Sequence, residues 1–327
     1  MLSARRKALE VSTVVPAFES LCRVQDMISA FQTLREVGIP QPESIVARSA
    51  GDLSSLSRFP VFVKRPISTA SAGVRRASSP AELEKAATAL GLGAGEALIQ
   101  TQALGPLAMV QALADQGRLV AYHANLRIRE GVGGGASLKE SVALPVMREH
   151  LEKLMSVLRW HGPLSMDVVV MPQGPVVIDV NPRLVEPMNA YLSGVDLVGA
   201  MLDIARYAHP AVQPAGRAGV RTRQLLLGIL GAAQDRGSRL AVAQELVRAL
   251  RQRGEYAHAV EELTPIHSDP IAAVPVIAAA ICTLVWPPAW RSFQSGAVGS
   301  YALTPEAWSE ILSAGANAAS AIGSNDA

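Results

Sequence analysis

Residues 164–181 read Leu164-Ser165-Met166-Asp167-Val168-Val169-Val170-Met171, then Pro172-Gln173-Gly174, then Pro175-Val176-Val177-Ile178-Asp179-Val180-Asn181. The two outer runs have the length and the β-branched composition of strands, and the middle run is a tight-turn signal. We therefore predict a hairpin centred on Gln173, with Asp167 opposite Asp179 and Val169 opposite Val177. Two carboxylates would then face each other across one strand pair.

The alternation of side chains gives this predicted hairpin two different faces. Asn181 falls on the same face as Asp167 and Asp179. The opposite face is predicted to be wholly apolar and to carry Met166, Val168, Val170, Val176, Ile178 and Val180. Like charges across a strand pair repel, and a hard divalent cation, Mg²⁺ or Mn²⁺, held by Asp167, Asp179 and Asn181 would remove the repulsion. A solvated face without a ligand is the alternative that the pattern leaves open.

The chain continues with Pro182 and Arg183, which adds a guanidinium beside the two acids. Arginine forms paired hydrogen bonds with phosphoryl and acyl-phosphate oxygens. A metal ion, a phosphate group and Arg183 would then share one wall, and this combination favours a binding site over a solvated face.

The surrounding sequence predicts a mixture of helices and antiparallel strands. A helix is expected over 23–37, ended by Gly38. Strands are expected over 97–100, 109–114 and 118–129. Because short turns rather than helices join most of these strands, the pattern indicates an α+β fold and not a doubly wound sheet. Beyond His209 the chain is predicted to be mainly helical.

The composition excludes several classes of protein. The 327 residues include 30 Lys and Arg against 28 Asp and Glu, and only 4% are aromatic, so nucleic acid is not expected as a partner. Two cysteines, Cys22 and Cys282, are too few for a disulfide scaffold or a thiolate metal site. The first fifteen residues contain no apolar signal core. We therefore expect a cytoplasmic protein.

One apolar run requires separate treatment. The twenty residues from Ile271 to Trp290 contain no charge, and this length is sufficient in principle to cross a bilayer. Pro275, Pro287 and Pro288 and the alanine-rich composition favour a buried helix instead. A membrane span and an exposed association surface are the two other interpretations, and we expect no membrane partner.

The hairpin and its flanks resemble the ATP-grasp carboxylate ligases, a family that includes biotin carboxylase and the large chain of carbamoyl phosphate synthetase. The family signature places an acid on one strand, then Glu or Asp, Asn and Arg at alternate positions on the next, as Asp167 and Asp179-Val180-Asn181-Pro182-Arg183 do here. Upstream, Phe59-Pro60-Val61-Phe62-Val63-Lys64-Arg65-Pro66 resembles the strand that carries a phosphate-binding lysine. The resemblance covers residues 25–208.

This resemblance implies the ATP-grasp fold, in which two α/β lobes with antiparallel sheets grip the nucleotide, here with a mainly helical C-terminal region. The implied division is a remnant or linker over 1–24, an N-lobe over 25–104, a C-lobe with the metal site over 105–208, and the helical region over 209–327. Relatives place an α/β domain before the helix at 25–37. The resemblance therefore implies that a homodimer or a separate chain supplies this lobe, unless the start is truncated or the lobe is not needed.

The resemblance also implies roles for individual residues. Lys64 would contact the α- or β-phosphate of ATP, and Arg183 would stabilise the transferred phosphoryl group. A loop with Ser68, Thr69, Ser71 and Gly73 would close over the phosphates, and a hinge formed by Gln100, Thr101, Gln102 and Ala103 would hold adenine. Arg127, with Arg129 and Lys139, would meet the γ-phosphate or an acidic substrate, although each is alternatively a surface charge. Glu186 and Asn189 would contact the second substrate.

Two functions follow from the resemblance. The first is an ADP-forming ligase that activates a carboxylate as an acyl phosphate for attack by an amine or similar nucleophile. The second is a degenerate ATP-grasp protein that acts as a nucleotide-binding regulator or scaffold. Three departures motivate the second: Met27 replaces an expected lysine, Ala108 replaces a ribose-binding Glu, and Gly73 is the only glycine of the phosphate loop.

Overall fold

The structure is a computed structural model, and it describes residues 2–6, 9, 11–68, 73–266, 268–294 and 303–323. Its strands are β1 Ser44–Ala47, β2 Val61–Lys64, β3 Val74–Ala77, β4 Ala97–Thr101, β5 Leu107–Asp115, β6 Arg118–Glu130, β7 Ala136–Ser141, β8 Gly162–Met171, β9 Gly174–Asn181, β10 Arg221–Arg223 and β11 Val260–Glu261. Its helices are α1 Leu2–Arg5, α2 Phe18–Gln25, α3 Met27–Val37, α4 Ala50–Leu53, α5 Pro80–Ala89, α6 Pro145–Leu158, α7 Met188–Ser193, α8 Leu197–Ala205, α9 Leu225–Arg236, α10 Arg239–Arg251, α11 Ala273–Val285, α12 Trp290–Gln294 and a last helix, Pro305–Gly323.

The strands form two sheets. The first has the order β1-β4-β2-β3, and the second has the order β11-β10-β7-β6-β5-β8-β9. All neighbouring strands are antiparallel except β10 and β11, which are parallel. The predicted α+β fold class is therefore confirmed.

Each sheet packs a helix on the face that lies away from the other sheet. Leu83 and Ala87 of α5 share a buried cluster with Val61 and Val63 of β2. On the second sheet, α6 buries Met147, Leu151, Leu154 and Met155 against the central strands. Burying an aliphatic side chain of this size contributes about 1.5–3 kcal/mol, so these helices fix the backs of both sheets and leave the facing sides to form a cleft.

The predicted hairpin is formed by β8 and β9, and Asp167 lies opposite Asp179 as expected. The predicted pairing of Val169 with Val177 is wrong, because the register shifts after Asp167 and Val177 instead lies opposite Val168. Ile178 is the extra residue of this β-bulge. As a result Val177 packs in the core, whereas Ile178 lines the cleft. Val176 and Ile178 therefore do not belong to the core face on which alternation had placed them.

The predicted helix over 23–37 is two helices that meet at Asp26. The Asp26 carboxylate accepts hydrogen bonds from the N–H groups of Ile28 and Ser29, so it caps α3 and interrupts the helix. Gly38 ends α3 in the left-handed conformation, as predicted. The break positions Gln25 and Met27 at the edge of the cleft.

The region after His209 is mainly helical, as predicted, but it also completes the second sheet. Strand β10 pairs with β7, and β11 pairs with β10. Helix α9 packs on the turn 132–134 and on α10 and α11. The last strands of the second sheet thus come from a segment that was predicted to be helical. Strands of three and two residues are too short to show a recognisable alternation, so the sequence did not reveal them.

The uncharged run from Ile271 to Trp290 contains α11 and ends at the first residue of α12, and it is only half-buried, in contrast to the predicted buried helix. Val276, Ala279, Ala280 and Thr283 are buried, whereas the opposite face, with Val274, Ile277, Ile281 and Val285, is more than half exposed. Within the described part of the chain, no helix combines the length and the apolar character needed to cross a membrane.

Candidate functional site

A cleft of about 1100 Å³ lies between the two sheets. This volume exceeds the usual range for a single small-molecule site, about 300–1,000 Å³. The lining side chains that can bind or react come from both sheets and from the loop after β9: Lys64, Ser68, Gln100, Asn125, Arg127, Glu130, Lys139, Asp167, Asp179, Asn181, Arg183 and Glu186. The cleft is therefore large enough for two ligands side by side.

The acid pair is formed by Asp167 and Asp179, which lie opposite each other in the wall of the cleft. Burial, and after it the charge of Asp179, raise the pKa of Asp167 to about 7, against the opposing effect of Lys64, Arg183 and Arg127. Burial also raises the pKa of Asp179, opposed first by Lys64. It is therefore costly to keep both carboxylates ionised in the absence of a ligand.

Asn181 and Arg183 lie beside this pair. The Asn181 amide donates to Asp179 Oδ2 over 3.2 Å, and Arg183 Nη2 lies 3.5 Å from Asn181 Oδ1. Arg183 is exposed, and no acidic side chain of the described residues lies within ion-pair distance of it. Its guanidinium is therefore available to an anionic ligand.

Lys64 bridges the two lobes. It is 5% exposed, and its ammonium donates to Gln100 Oε1 over 2.8 Å and to the backbone oxygen of Ile178 over 2.6 Å. The bulge in β9 exposes that oxygen, since Ile178 has no partner residue on β8. Burial lowers the pKa of Lys64, while Asp179 and Asp167 raise it. Lys64 is thus positioned beside the acid pair by a register irregularity.

The predicted phosphate loop is described at its two ends only, and Thr69 and Ser71 lie outside the described residues. Ser68 lines the cleft. A Cβ added at Gly73 would lie 2.2 Å from Ser68 Cβ, so the two ends of the loop approach more closely than any side chain at 73 would permit. The single glycine of this segment is therefore required by geometry.

The predicted hinge residues Gln100, Thr101, Gln102 and Ala103 all line the cleft. However, the N–H of Thr101 donates to Glu43 O and the N–H of Gln102 donates to Pro60 O. These two N–H groups are engaged within the protein, which makes the main chain at Ala103 the better candidate for a base contact. The Gln100 side chain serves Lys64 instead.

Arg127 lines the cleft and holds the glycine-rich turn. Its Nη1 donates to Gly134 O over 2.6 Å, and its Nη2 forms an ion pair with Glu130 over 3.1 Å. Arg129 does not reach the cleft, because a second bulge at Ile128 turns it to the other face, where it pairs with Glu245 and Glu255. The structure therefore favours the alternative of a charge outside the cleft for Arg129.

Lys139 is 1% exposed and lies at the far end of the cleft. Its ammonium contacts Glu186 and donates to Glu262 Oε2 over 2.7 Å. Glu262 also accepts hydrogen bonds from Thr222 and Gln224. The alternative of a surface charge is therefore excluded for Lys139, whose buried ammonium contacts two carboxylates.

Glu186 lines the cleft, as a substrate contact requires, and adopts a left-handed backbone with φ of 49°. Such a conformation costs about 1–3 kcal/mol in a non-glycine residue and is concentrated at functional sites. Asn189 is 0% exposed, its amide is engaged with His123, Val220 and Thr222, and it does not line the cleft in which a substrate contact was predicted. Burial lowers the pKa of His123 to about 4, in keeping with a structural role.

Solved structures share this architecture. Biotin carboxylase from Campylobacter jejuni matches with a TM-score of 0.55 and 21% identity over 64% of this chain and 54% of its own. L-amino acid ligase from Bacillus licheniformis matches with a TM-score of 0.52 and 18% identity over 65% and 56%. Carboxyaminoimidazole ribonucleotide synthase from Aspergillus clavatus, complexed with ATP, matches with a TM-score of 0.59 and 14% identity over 86% and 78%.

The chain has the ATP-grasp fold. It spans only about half of the length of the biotin carboxylase and of the L-amino acid ligase. Neither a protein-family model nor a curated protein sequence matches it. The likeness therefore establishes the ATP-grasp architecture, and the chemistry has to be argued from the residues of the cleft.

Sequence reasoning missed several residues of the site. Asn125 and Glu130 line the cleft, and Glu262 holds Lys139 from outside it. Asn125 lies two residues before Arg127 on one strand, so alternation would have found it. Glu262 lies 123 residues beyond Lys139 and has no local signal.

Proposed function

We propose that this protein is an ADP-forming ligase that activates a carboxylate as an acyl phosphate and transfers the acyl group to an amine or a similar nucleophile. The observation that carries the proposal is the half-buried pair of Asp167 and Asp179 in the wall of the cleft, next to Arg183, which forms no ion pair with the described residues. Two of the similar structures support the proposal, since one is a complex with ATP and the other is an L-amino acid ligase.

The residues of the acid pair fit a divalent cation. No group of three or more His, Cys, Asp and Glu side chains in the described ranges is arranged to hold a metal ion. Two carboxylates and the Asn181 amide nevertheless suit Mg²⁺, which takes the rest of its oxygen ligands from water and phosphate. Mg²⁺ bound there would supply charge neutralisation for the phosphates of ATP.

In the first step, an oxygen of the substrate carboxylate attacks the γ-phosphorus, and the bond from that phosphorus to the bridging oxygen of ADP breaks. Phosphoryl transfer depends mainly on positioning and on charge stabilisation. Lys64 is held beside the acid pair and would contact the nucleotide phosphates, while Arg183 would balance the charge on the transferred group.

In the second step, the nucleophile attacks the acyl carbon, the bond to the phosphate oxygen breaks, and phosphate and a proton are released. Glu186 lines this part of the cleft, where Lys139 contacts its carboxylate and holds it. We assign Glu186 to orientation of the second substrate. We assign adenine to the main chain at Ala103, which also lines the cleft.

The proposal is tested with calorimetric titration of Mg-ATP and with ADP release across a panel of carboxylic acids and amines. We expect micromolar to millimolar binding, and ADP release that requires both an acid and an amine. Asp179→Ala should reduce ADP release about a hundredfold or more, the size of effect typical for loss of an electrostatic catalytic group. The matched control is Asp203→Ala, an exposed carboxylate on α8.

Undiminished ADP release by Asp179→Ala in Mg²⁺ would contradict the metal assignment. Binding of Mg-ATP without ADP release on any acid and amine would contradict the ligase and favour a nucleotide-binding regulator instead. Absence of nucleotide binding at millimolar concentration would contradict both functions.

A further inference from the structure

Three buried polar side chains on the cleft face of the seven-stranded sheet each have an atom without a hydrogen-bond partner among the described residues. They are Gln111 on β5, Asn125 on β6 and Ser165 on β8, and the atoms are Gln111 Nε2, Asn125 Nδ2 and Ser165 Oγ. The exposed fractions of the three residues are 0%, 1% and 1%. Buried polar atoms are normally paired, so three such atoms in one place indicate a ligand.

The strand register places the three residues in one patch beside the acid pair. Gln111 lies opposite Ser165, and Met109, two residues earlier on β5, lies opposite both Asn125 and Asp167. Residues that lie opposite each other on neighbouring strands share one face of the sheet, and every second residue along a strand lies on that same face. Asn125 lines the cleft, and Gln111 lies beneath the loop that carries Glu186.

The direction of one hydrogen bond determines what the patch can bind. The N–H of Val185 donates to Gln111 Oε1 over 3.0 Å. Because a backbone N–H can only donate, the orientation of the Gln111 amide is fixed and Nε2 is left as a donor. Asn125 Nδ2 is a second amide donor in the same patch. Two neutral donors suit a carbonyl or carboxylate oxygen and do not suit a cation.

We propose that Gln111 and Asn125 form a specificity subsite for the carboxylate substrate. That substrate carries, beyond the carboxylate that is phosphorylated, a second carbonyl or carboxylate oxygen to which both amides donate. The role of the first carboxylate rests on the proposed ligase function, whereas the subsite rests on the two buried donors. A site built to hydrogen-bond its ligand strongly rejects an analogue that lacks the acceptor.

The test compares three probes that share one skeleton, titrated calorimetrically with and without Mg-ADP. Succinamate carries a second carbonyl oxygen, succinate carries a second carboxylate, and 4-methylpentanoate carries an apolar group of the same shape. We expect the wild type to bind succinamate or succinate about tenfold or more tightly than 4-methylpentanoate. The tighter of the first two identifies the acceptor as carbonyl or carboxylate.

The variants Gln111→Met and Asn125→Leu keep the size of each side chain and remove its donors. In each variant we expect the preference for succinamate or succinate over 4-methylpentanoate to fall below about threefold. The reason is that 4-methylpentanoate, which lacks the acceptor oxygen, then leaves fewer buried donors unpaired. The matched control is Gln41→Met, whose amide donates to Phe31 O outside the cleft and whose loss should leave the preference unchanged. The melting temperature of Asn125→Leu should stay equal or rise, because an apolar replacement removes an unpaired buried amide.

Equal affinity of the wild type for the three probes, or no measurable binding of any, would overturn the subsite. A preference for succinamate or succinate that survives in both variants would also overturn the subsite. A clear fall in the melting temperature of Asn125→Leu would overturn it as well, because the fall would mean that the Asn125 amide is hydrogen-bonded within the protein. Failure of the ligase proposal is separate, because it appears as absence of Mg-ATP binding or of ADP release.

Discussion

Two clusters of buried charge lie on the same sheet of this protein, and they differ in how completely their charges are paired. At one end, Asp167 and Asp179 face each other, and the lysine nearest to them is shared with a backbone oxygen and Gln100. At the other end, Lys139 contacts two glutamates, and Glu262 accepts two further hydrogen bonds. Each cluster sets two carboxylates against one lysine, but among the described residues only Lys139 lies within ion-pair distance of its carboxylates, whereas Lys64 does not reach Asp167 or Asp179.

This difference suggests different roles for the two clusters, ligand binding for the acid pair and structural support for the Lys139 cluster. Buried carboxylates without an ion-pair contact are costly in the free protein and gain from a ligand of opposite charge. Carboxylates that already contact a lysine gain less from such a ligand, and removal of the lysine leaves them unpaired. We therefore infer that the acid pair binds and that the Lys139 cluster positions Glu186. Three substitutions test this contrast.

The largest effect on stability is expected for Lys139→Met, which leaves the buried carboxylate of Glu262 and the half-buried carboxylate of Glu186 without their cation. Breaking a buried ion pair from one side costs about 3–5 kcal/mol. Denaturant unfolding measures the loss, and Lys153→Met, which removes an exposed lysine of α6, is the matched control. Equal stability of the two variants would show that the Lys139 cluster does not support the fold.

The second effect is a pH dependence that comes from His123, which is linked to the Lys139 cluster through Asn189 and Thr222. Burial lowers its pKa from 6.5 to about 4. Between these two values the unfolded chain binds a proton that the folded protein does not bind, so stability is complete above pH 6.5 and falls as the pH decreases towards 4. The loss amounts to about 3 kcal/mol, at about 1.4 kcal/mol for each pKa unit.

Unfolding free energies at pH 7.5 and pH 4.5 measure this loss in the wild type and in His123→Gln. The variant should lose less stability between the two pH values, and His209→Gln, which replaces an exposed histidine, should behave as the wild type does. Parallel pH profiles of all three proteins would place the sensitivity in another group.

The smallest effect, with the opposite sign, is expected for Asp167→Asn. Removal of one member of a repelling cross-strand pair should stabilise the nucleotide-free protein by about 1 kcal/mol or less. The same variant should lose the extra thermal stability that Mg-ATP gives to the wild type. A destabilised variant would mean that the acid pair is already balanced within the protein, and the contrast between the clusters would not hold.

The sequence alone was sufficient for the hairpin, for the opposition of Asp167 and Asp179, and for the fold class, because these depend on local alternation and on one tight turn. It was insufficient wherever a strand changed register. Consecutive valines at 176 and 177 look alike in either register, so neither the bulge at Ile178 nor the carbonyl that it offers to Lys64 could be predicted. The bulge that turns Arg129 away from Arg127 is a second example.

The sequence by itself determined which side chains the hairpin brings together, since Asp167, Asp179, Asn181 and Arg183 lie on adjoining positions of one hairpin and its exit. The tertiary structure decided which charges remain free. Lys139 and Arg129 carry the same charge as Arg183, and they are neutralised by Glu262 and Glu245, which lie more than a hundred residues away along the chain. Charge balance depends on groups that folding brings together, whereas strand alternation depends only on neighbours in sequence.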